Sequence, residues 1–429
     1  MSSMNQHHEH FDEEIVGLIE KEKQRRKETI QLIAAENIVR SEVMRPLSSI
    51  LVSKTAEGVP GNRYHSGCSV VDEIETIAER RVEEAFKARK AWVQPLSGTL
   101  ANLIVYLSLV RSKKKRGEEF KILSMGLDQG GHLSHGSSFH VSSFFCSDVR
   151  NYSVSRETGL LDYDMIRNIS RGYSPDLIVC GGSAYPREID FATLGEIAKD
   201  AGAVLLADIA HIYGLVVSGI HQSPIPHSHF VTCSTYKAGG PKGGIIVSGD
   251  LATDEQCRSV TQAIFPGVQS TPDFASIAAK AVFFAESVTD EFRNTQRRIV
   301  ENAKYLSSCL MERGFDVITG GTDNHIVLIN VKTSACRLTG KEANERLERC
   351  GVIVNKNMIP YDNEKANVGS GIRIGTNTVS RLGMNTNDME FIANLIEEIL
   401  MGDMSDGFVS KAQSRVKEFM KEFSFEGFI

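Results

Sequence analysis

Between residues 177 and 247 the chain repeats one arrangement: a short apolar run, then a longer amphipathic or glycine-rich stretch, with the runs at 177–180, 203–207, 230–233 and 244–247. Apolar runs this short, flanked by turn residues, read as strands covered on both faces. Strands alternating with helix-length segments build βαβ units around a mostly parallel sheet, which confines the chain to the α/β class. Its 429 residues exceed what one hydrophobic core fills, so at least two packed units are expected. Past residue 290 the texture changes. A helical segment over 290–313 leads into strands near 326–331 and 352–355, and Val409, Ala412, Val416, Phe419 and Phe423, spaced by threes and fours, mark a closing helix. At the other end Phe11, Ile15, Leu18 and Ile19 share one helical stripe over 11–26. The expected division is an N-terminal helical arm (1–45), a large domain on a mostly parallel sheet (46–290) and a smaller α+β domain (291–429).

Composition narrows the function classes. Hydrophobic residues at 41% and charged residues at 24% exclude global disorder. A formal net charge of −6 offers no long-range attraction to nucleic acid or anionic lipid, which need clustered positive charge. The one dense basic run, 113–116, lacks interleaved aromatics and precedes Glu118 and Glu119, so it reads as a solvated loop. Eight scattered cysteines include no C-x-x-C pair, suggesting neither a zinc cage nor a disulfide framework. The first residues are polar, with His7, His8, Glu9 and His10, and no run of about 18 apolar residues occurs. A cytoplasmic address without a membrane partner is expected.

In an open α/β sheet, ligands bind outside the carboxyl ends of the strands. Asp208 directly follows the run 203–207, with His211 three residues on; an Asp there can cap a loop or carry function. Lys237 follows another run, preceded by Ser234, Thr235 and Tyr236 and followed by Gly239, Gly240, Pro241, Lys242, Gly243 and Gly244. A lysine between glycines and hydroxyls is a candidate Schiff-base nucleophile, because burial lowers its pKa and the glycines let a ligand approach. A nucleotide loop is rejected, since G-x-x-x-x-G-K-[ST] is absent. Ser97, Gly98 and Thr99 open a helical stretch and read either as an ordinary N-cap or as a phosphate cradle. His132 and His135 stand at a spacing compatible with metal ligation, but no third ligand of matching context is evident, so no metal is expected and an imidazole stacked on an aromatic cofactor is the better functional reading. An Asp for a pyridinium nitrogen, a Lys for a Schiff base and hydroxyls with a helix N-terminus for a phosphate are the three supports that pyridoxal phosphate needs.

Taken in order, the segments resemble the serine hydroxymethyltransferase family of fold-type I pyridoxal phosphate enzymes over 32–396. The resemblance is carried by A-E-N at 35–37, A-E-G-x-P-G-x-R-Y at 56–64, Q-P-x-S-G at 94–98, G-G-H-L-S-H-G at 130–136, S-A-Y-P-R at 183–187 and D-x-A-H-I at 208–212. It continues in F-P-G-x-Q at 265–269, G-G-T-D-N-H at 320–325, V-N-K-N at 354–357 and S-G-I-R-I-G-T at 370–376. The resemblance implies a Schiff base on Lys237, Asp208 as pyridinium partner, His132 stacked on the ring, Ser183 and His211 at the phenolic oxygen, Ser97, Gly98 and Thr99 on the phosphate, and Thr235 in the cofactor shell. It further implies Arg373 on the substrate carboxylate, Glu57 as acid/base near the substrate hydroxyl with Tyr64 beside it, both delivered across a subunit boundary, and Leu127, Gly131, Leu133 and Asn357 at the pterin of a tetrahydrofolate. An amino-acid substrate and a homodimer or dimer of dimers follow from the same likeness.

The departures cluster around substrate and cofactor. The family's A-S-E-N is here Ala34-Ala35-Glu36-Asn37, and Thr55 and His65 stand where tyrosines are usual. The segment around the lysine, with Tyr236 before it, is one residue shorter and lacks an arginine; Gln129 replaces a frequent His, and Ser270 and Thr271 replace a glycine pair that touches the partner's phosphate. Ala35, His65 and Tyr236 therefore bear on substrate choice. The expected reaction makes or breaks the Cα–Cβ bond of a β-hydroxy amino acid, converting serine and tetrahydrofolate to glycine and methylenetetrahydrofolate. A threonine aldolase or transaldolase, or a hydroxymethyltransferase for α-substituted serine, is the alternative. A non-catalytic scaffold is a third reading, against which stand Lys237, Asp208, His132, Glu57 and Arg373, all retained.

Overall fold

A computed structural model describes residues 12–146 and 148–428. Strands β1 Ala91–Trp92, β2 Lys121–Met125, β3 Asp148–Tyr152, β4 Leu177–Cys180, β5 Val204–Asp208, β6 Phe230–Ser234 and β7 Gly244–Ser248 form a sheet in the order β1-β7-β6-β5-β4-β2-β3. From β3 to β6 every neighbouring pair is parallel, and β7 runs antiparallel to both β1 and β6. The four apolar runs are all strands, displaced by no more than a residue at either end. Their continuous apolar character has a geometric cause. Ile178, Leu205, Ala207, Val231 and Ile245 face one core while Leu177, Val179, Leu206, Phe230 and Ile246 face another, so both parities of each strand are buried. The chain is thus α/β with a mostly parallel sheet, as its pattern implied.

Three strands of this sheet were not legible. β1 has only two residues, β2 opens on Lys121 and contains Ser124, and β3 reads D-V-R-N-Y at the sheet edge, where most of its side chains meet solvent. The basic run is also corrected. Lys113, Lys114 and Lys115 form the last turn of the helix Gly98–Lys115 and Arg116 is its C-cap. Cations there complement the negative end of the helix dipole, and Lys113 pairs with Asp176.

The C-terminal part begins with the helix Asp290–Glu312 and adds an antiparallel sheet of β8 Asp316–Val317, β9 Ile326–Asn330, β10 Asn355–Asn357 and β11 Gly371–Gly375, ordered β8-β9-β11-β10. The strand expected at 352–355 splits: Val352 and Ile353 pair in parallel with Ile30 and Gln31, and Asn355 opens β10. Ile30, Leu32 and Ile38 consequently share a core with Leu306, Val327 and Ile372. Upstream, the helix Glu13–Lys27 leaves Ile15, Leu18 and Ile19 exposed, while Phe11 and the polar residues His7, His8, Glu9 and His10 lie outside the described residues. The closing helix Asp406–Met420 buries Val409, Ala412, Val416 and Phe419; Phe423 follows its end and packs on the same core. Among the described residues no helix is long and apolar enough to cross a membrane.

Candidate active site

The carboxyl ends of the strands hold the chemistry. Asp208 closes β5, Lys237 lies in the 3-10 turn Thr235–Ala238 immediately after β6, Gly182 and Ser183 follow β4, and the segment 130–136 follows β2. The helix Gly98–Lys115 aims its N-terminus at the same place, capped by Ser97, whose side chain accepts from Leu100 N at 3.1 Å. A Cβ at position 98 would stand 2.1 Å from Ser234 Oγ, so the helix starts tight against the end of β6 with bare backbone. Gly98, Thr99, His132, His135, Gly182, Ser183, Asp208, His211, Ser234 and Lys237 line one narrow cleft.

Hydrogen bonds fix the charge states. Asp208 Oδ2 accepts from His135 Nε2 at 2.9 Å and from Asn102 Nδ2 at 2.7 Å, and Oδ1 accepts from Ala210 N at 3.1 Å. Burial alone would raise its pKa, but these donors and the neighbouring imidazoles hold the carboxyl well below the usual range, so Asp208 is an anion. Burial, partly offset by the Asp208 charge, brings the Lys237 amine down to about 8 and His132 down to about 4. His132 is therefore a neutral ring at pH 7, its Nδ1 accepting from Ser134 N at 3.2 Å. Burial, reinforced by Lys237 and Arg373, likewise keeps His211 neutral, and burial lowers His325 to about 3. His325 Nε2 lies 3.2 Å from the Ala34 carbonyl and 3.4 Å from His211 Nδ1, the two rings within 7° of parallel. Because a carbonyl only accepts, the proton belongs on His325 Nε2, His211 Nδ1 is an acceptor, and the remaining N–H of His211 is its Nε2.

Arg373, on β11, reaches the same region from the C-terminal sheet. It donates to the Ser183 carbonyl and, through Nε, to Asn355 Oδ1 at 3.0 Å. Among the described residues no carboxylate pairs with it, and burial draws its pKa down to about 10. Ala35 adjoins the Ala34 carbonyl, which also receives Asn377 Nδ2 at 3.1 Å. Tyr236 presents its ring to Lys242 at 3.7 Å and to Lys237 at 5.7 Å. Thr235 is fully buried and its hydroxyl donates to the Pro241 carbonyl at 2.5 Å, so it shapes the turn while Ser234 takes the cleft position.

A second group of the expected site residues is not among those that line this cleft. Glu57 lies beside the hairpin of Gly58–Val59 and Asn62–Arg63; its N–H donates to His65 Nδ1 at 3.3 Å, and Tyr64, 76% exposed, packs its ring on Phe265. Thr271 Oγ1 accepts from Ala56 N at 2.9 Å, and Ser270 beside it is exposed. Leu127 and Leu133 are exposed, Gly131 packs so closely that a Cβ would meet the Met125 carbonyl at 2.4 Å, and Asn357 sits on β10, its amide donating to the Met358 carbonyl at 2.6 Å.

The sequence concealed several contributors. Asn102, fully buried, joins Asp208 to Ser134 and receives Thr232 Oγ1 at 2.6 Å, and Asn37 and Asn377 both donate to the Lys237 carbonyl. A lone Asn inside an apolar helical stretch was the available signal. The expectation that His132 and His135 lack a third partner is corrected: Asp208 brings its carboxylate to them, the three ligating atoms lying within 4.8 Å of one another. The carboxylate oxygen nearest His135 already accepts from two N–H donors, His135 Nε2 and Asn102 Nδ2, while the His132 ring bonds to Ser134.

A family model described as serine hydroxymethyltransferase matches residues 8–396. The chain is 43% identical over 430 residues to a serine hydroxymethyltransferase of Rickettsia prowazekii, covering 99% of this chain and 100% of that one. It is 43% identical over 416 residues to a serine hydroxymethyltransferase of Methanosarcina barkeri, covering 97% and 98%. Likeness of this extent, spanning every element that builds the cleft, places the chain in the serine hydroxymethyltransferase family.

Proposed function

We propose that this chain is a pyridoxal phosphate-dependent transferase that moves a hydroxymethyl group between serine and tetrahydrofolate, with glycine as the other product. The observation that carries the reading is Arg373, a half-buried guanidinium without a carboxylate partner among the described residues, which donates to the carbonyl of Ser183 on the wall of the cleft that holds a buried amine and a buried carboxylate. A planar fork left without its anion suits an amino-acid carboxylate. The donor set also fits the cofactor: Lys237 to hold its aldehyde, Asp208 to face its ring nitrogen, His132 to lie on its ring, Ser183 and His211 Nε2 to meet its ring oxygen, and Thr99 with the N–H groups opening the Gly98–Lys115 helix to hold its phosphate. When bound, pyridoxal phosphate supplies an electron sink for charge developing at Cα.

The protein's share is binding, orientation and proton placement. Lys237, with its pKa near 8, keeps a useful fraction of free amine near neutral pH. Asp208, anchored by His135 and Asn102, holds a fixed negative charge in a buried position, where it is worth more than at the surface. Arg373 fixes the carboxylate of the amino acid and so orients the bonds at Cα. Glu57 and Tyr64 handle the proton of the substrate hydroxyl from a partner subunit, and Leu127, Gly131, Leu133 and Asn357 receive the pterin.

A second reading, in which threonine or an α-substituted serine is handled at least as well as serine, is favoured by the histidine at 65, whose Nδ1 takes the Glu57 N–H at 3.3 Å. The test is kcat/KM for serine with tetrahydrofolate, for threonine and for α-substituted serine, with Lys237→Ala as control. Turnover of none of them, or full turnover by Lys237→Ala, would sink the proposal. A serine advantage of about a hundredfold, roughly 2.7 kcal/mol, would remove the second reading.

A further inference from the structure

Lys280, in the helix Phe274–Glu286, is buried on all sides, and among the described residues no carboxylate lies within ion-pair distance of it. Its Nζ donates to the carbonyls of Val93 at 2.6 Å, Pro95 at 3.0 Å and Gly244 at 3.0 Å. Burial draws its pKa down to about 7, and in the protonated form its three N–H donors are all used by these carbonyls. Burying a charge without a counter-ion is costly, and a methionine of similar length could fill the space. What the ammonium adds is a simultaneous grip on three acceptors.

Those acceptors belong to two segments of the cleft wall. Val93 and Pro95 lead directly into Ser97, Gly98 and Thr99, and Gly244 opens β7, seven residues after Lys237. The segments touch: Gly244 N donates to the Pro95 carbonyl at 2.9 Å, and a Cβ on Gly244 would stand 2.2 Å from the Ser97 carbonyl oxygen. Gly243, just before, leaves room for the Lys280 stem, since a Cβ there would meet Lys280 Cε at 2.3 Å.

We propose that Lys280 is a positioning residue of the cofactor site, its three hydrogen bonds locking the helix N-terminus at Gly98 in register with the Lys237 turn. The spacing between the group that holds the cofactor's aldehyde and the group that holds its phosphate is thereby set from behind the cleft wall. The inference rests on the reading of Ser97, Gly98 and Thr99 as the phosphate cradle.

The test compares the apo full-length chain with Lys280→Met, measuring by absorbance the Kd for pyridoxal 5'-phosphate and for pyridoxal, which has no phosphate to misplace. Lys280→Met should weaken pyridoxal phosphate at least about tenfold, the scale of leaving buried acceptors unpaired, while pyridoxal changes far less. An equal loss for both ligands, or none, overturns the proposal. Thr99→Val is run beside it. A phosphate-specific loss in Thr99→Val but not in Lys280→Met removes Lys280 and leaves the cradle standing; its absence from both overturns the cradle reading as well. Should Lys280→Met not fold, Lys280→Gln is judged by the same ratio, and failure of both to fold makes Lys280 a folding residue and ends the claim.

Discussion

At the scale of single residues the cleft works by separating charge states that would be alike in water. Asp208 stays anionic because its buried oxygens collect three donors, whereas His132 and His211 stay neutral because burial penalises their charged forms. Lys237 sits between these limits, with burial lowering its pKa to about 8 and Asp208 resisting the shift. The sign gives a pH dependence: below about 8 the amine is mostly protonated and has no lone pair, and above it the free amine dominates. Uptake of pyridoxal phosphate by the apo chain should therefore speed up as pH rises toward 8 and level off beyond it, as followed by stopped-flow absorbance. A rate that is flat from pH 6 to 9 would detach this shift from the reaction. Arg373→Ala should weaken amino-acid binding by about 2–5 kcal/mol, the cost of leaving a desolvated carboxylate unpaired. Unchanged affinity in a spectral titration with serine and glycine would remove Arg373 from the site.

At the scale of elements, the helix Gly98–Lys115 does two jobs: its first turn faces the cleft, and one turn further Asn102 ties Asp208 to Ser134 and Thr232. Asn102→Leu keeps the volume and removes the donors. It should lower stability by about 1–3 kcal/mol and raise the Kd for pyridoxal phosphate, both measurable by denaturant titration and absorbance. A stable variant with undiminished cofactor affinity would show that His135 alone suffices. The same helix shows what sequence could and could not disclose. Asp208 and Lys237 were legible because each follows an apolar run, and position after a strand is local information. Asn102 was not, since its carboxylate partner lies 106 positions away, and His325 was not, since His211 lies 114 positions away. β3 was hidden for a different reason: an edge strand with one buried flank carries a weak apolar signature.

At the scale of the whole molecule, the proposed roles of Glu57 and Tyr64 require a second copy of the chain. Glu57, Tyr64 and His65 cluster around the hairpin and Phe265 and do not line the cleft that holds Lys237, and a few residues upstream Ile50 is 87% and Val52 66% exposed. Exposed apolar side chains on one short segment are the kind of surface that a second copy would cover. A two-fold pairing would let each chain bring its hairpin to the other's cleft, since in such an interface every contact occurs twice. The decisive experiment mixes two inactive variants, Lys237→Ala and Glu57→Gln, after gentle dissociation and reassociation. If Glu57 serves the partner's cleft, the mixed dimer contains one site in which both intact residues meet and one in which both are lost. Random pairing then restores about a quarter of wild-type activity per chain. If Glu57 serves its own cleft, each chain carries its own defect into every dimer and nothing returns. Light scattering on the same samples supplies the second arm: restored activity should track the dimer fraction on dilution, and an active monomer would exclude the shared site altogether.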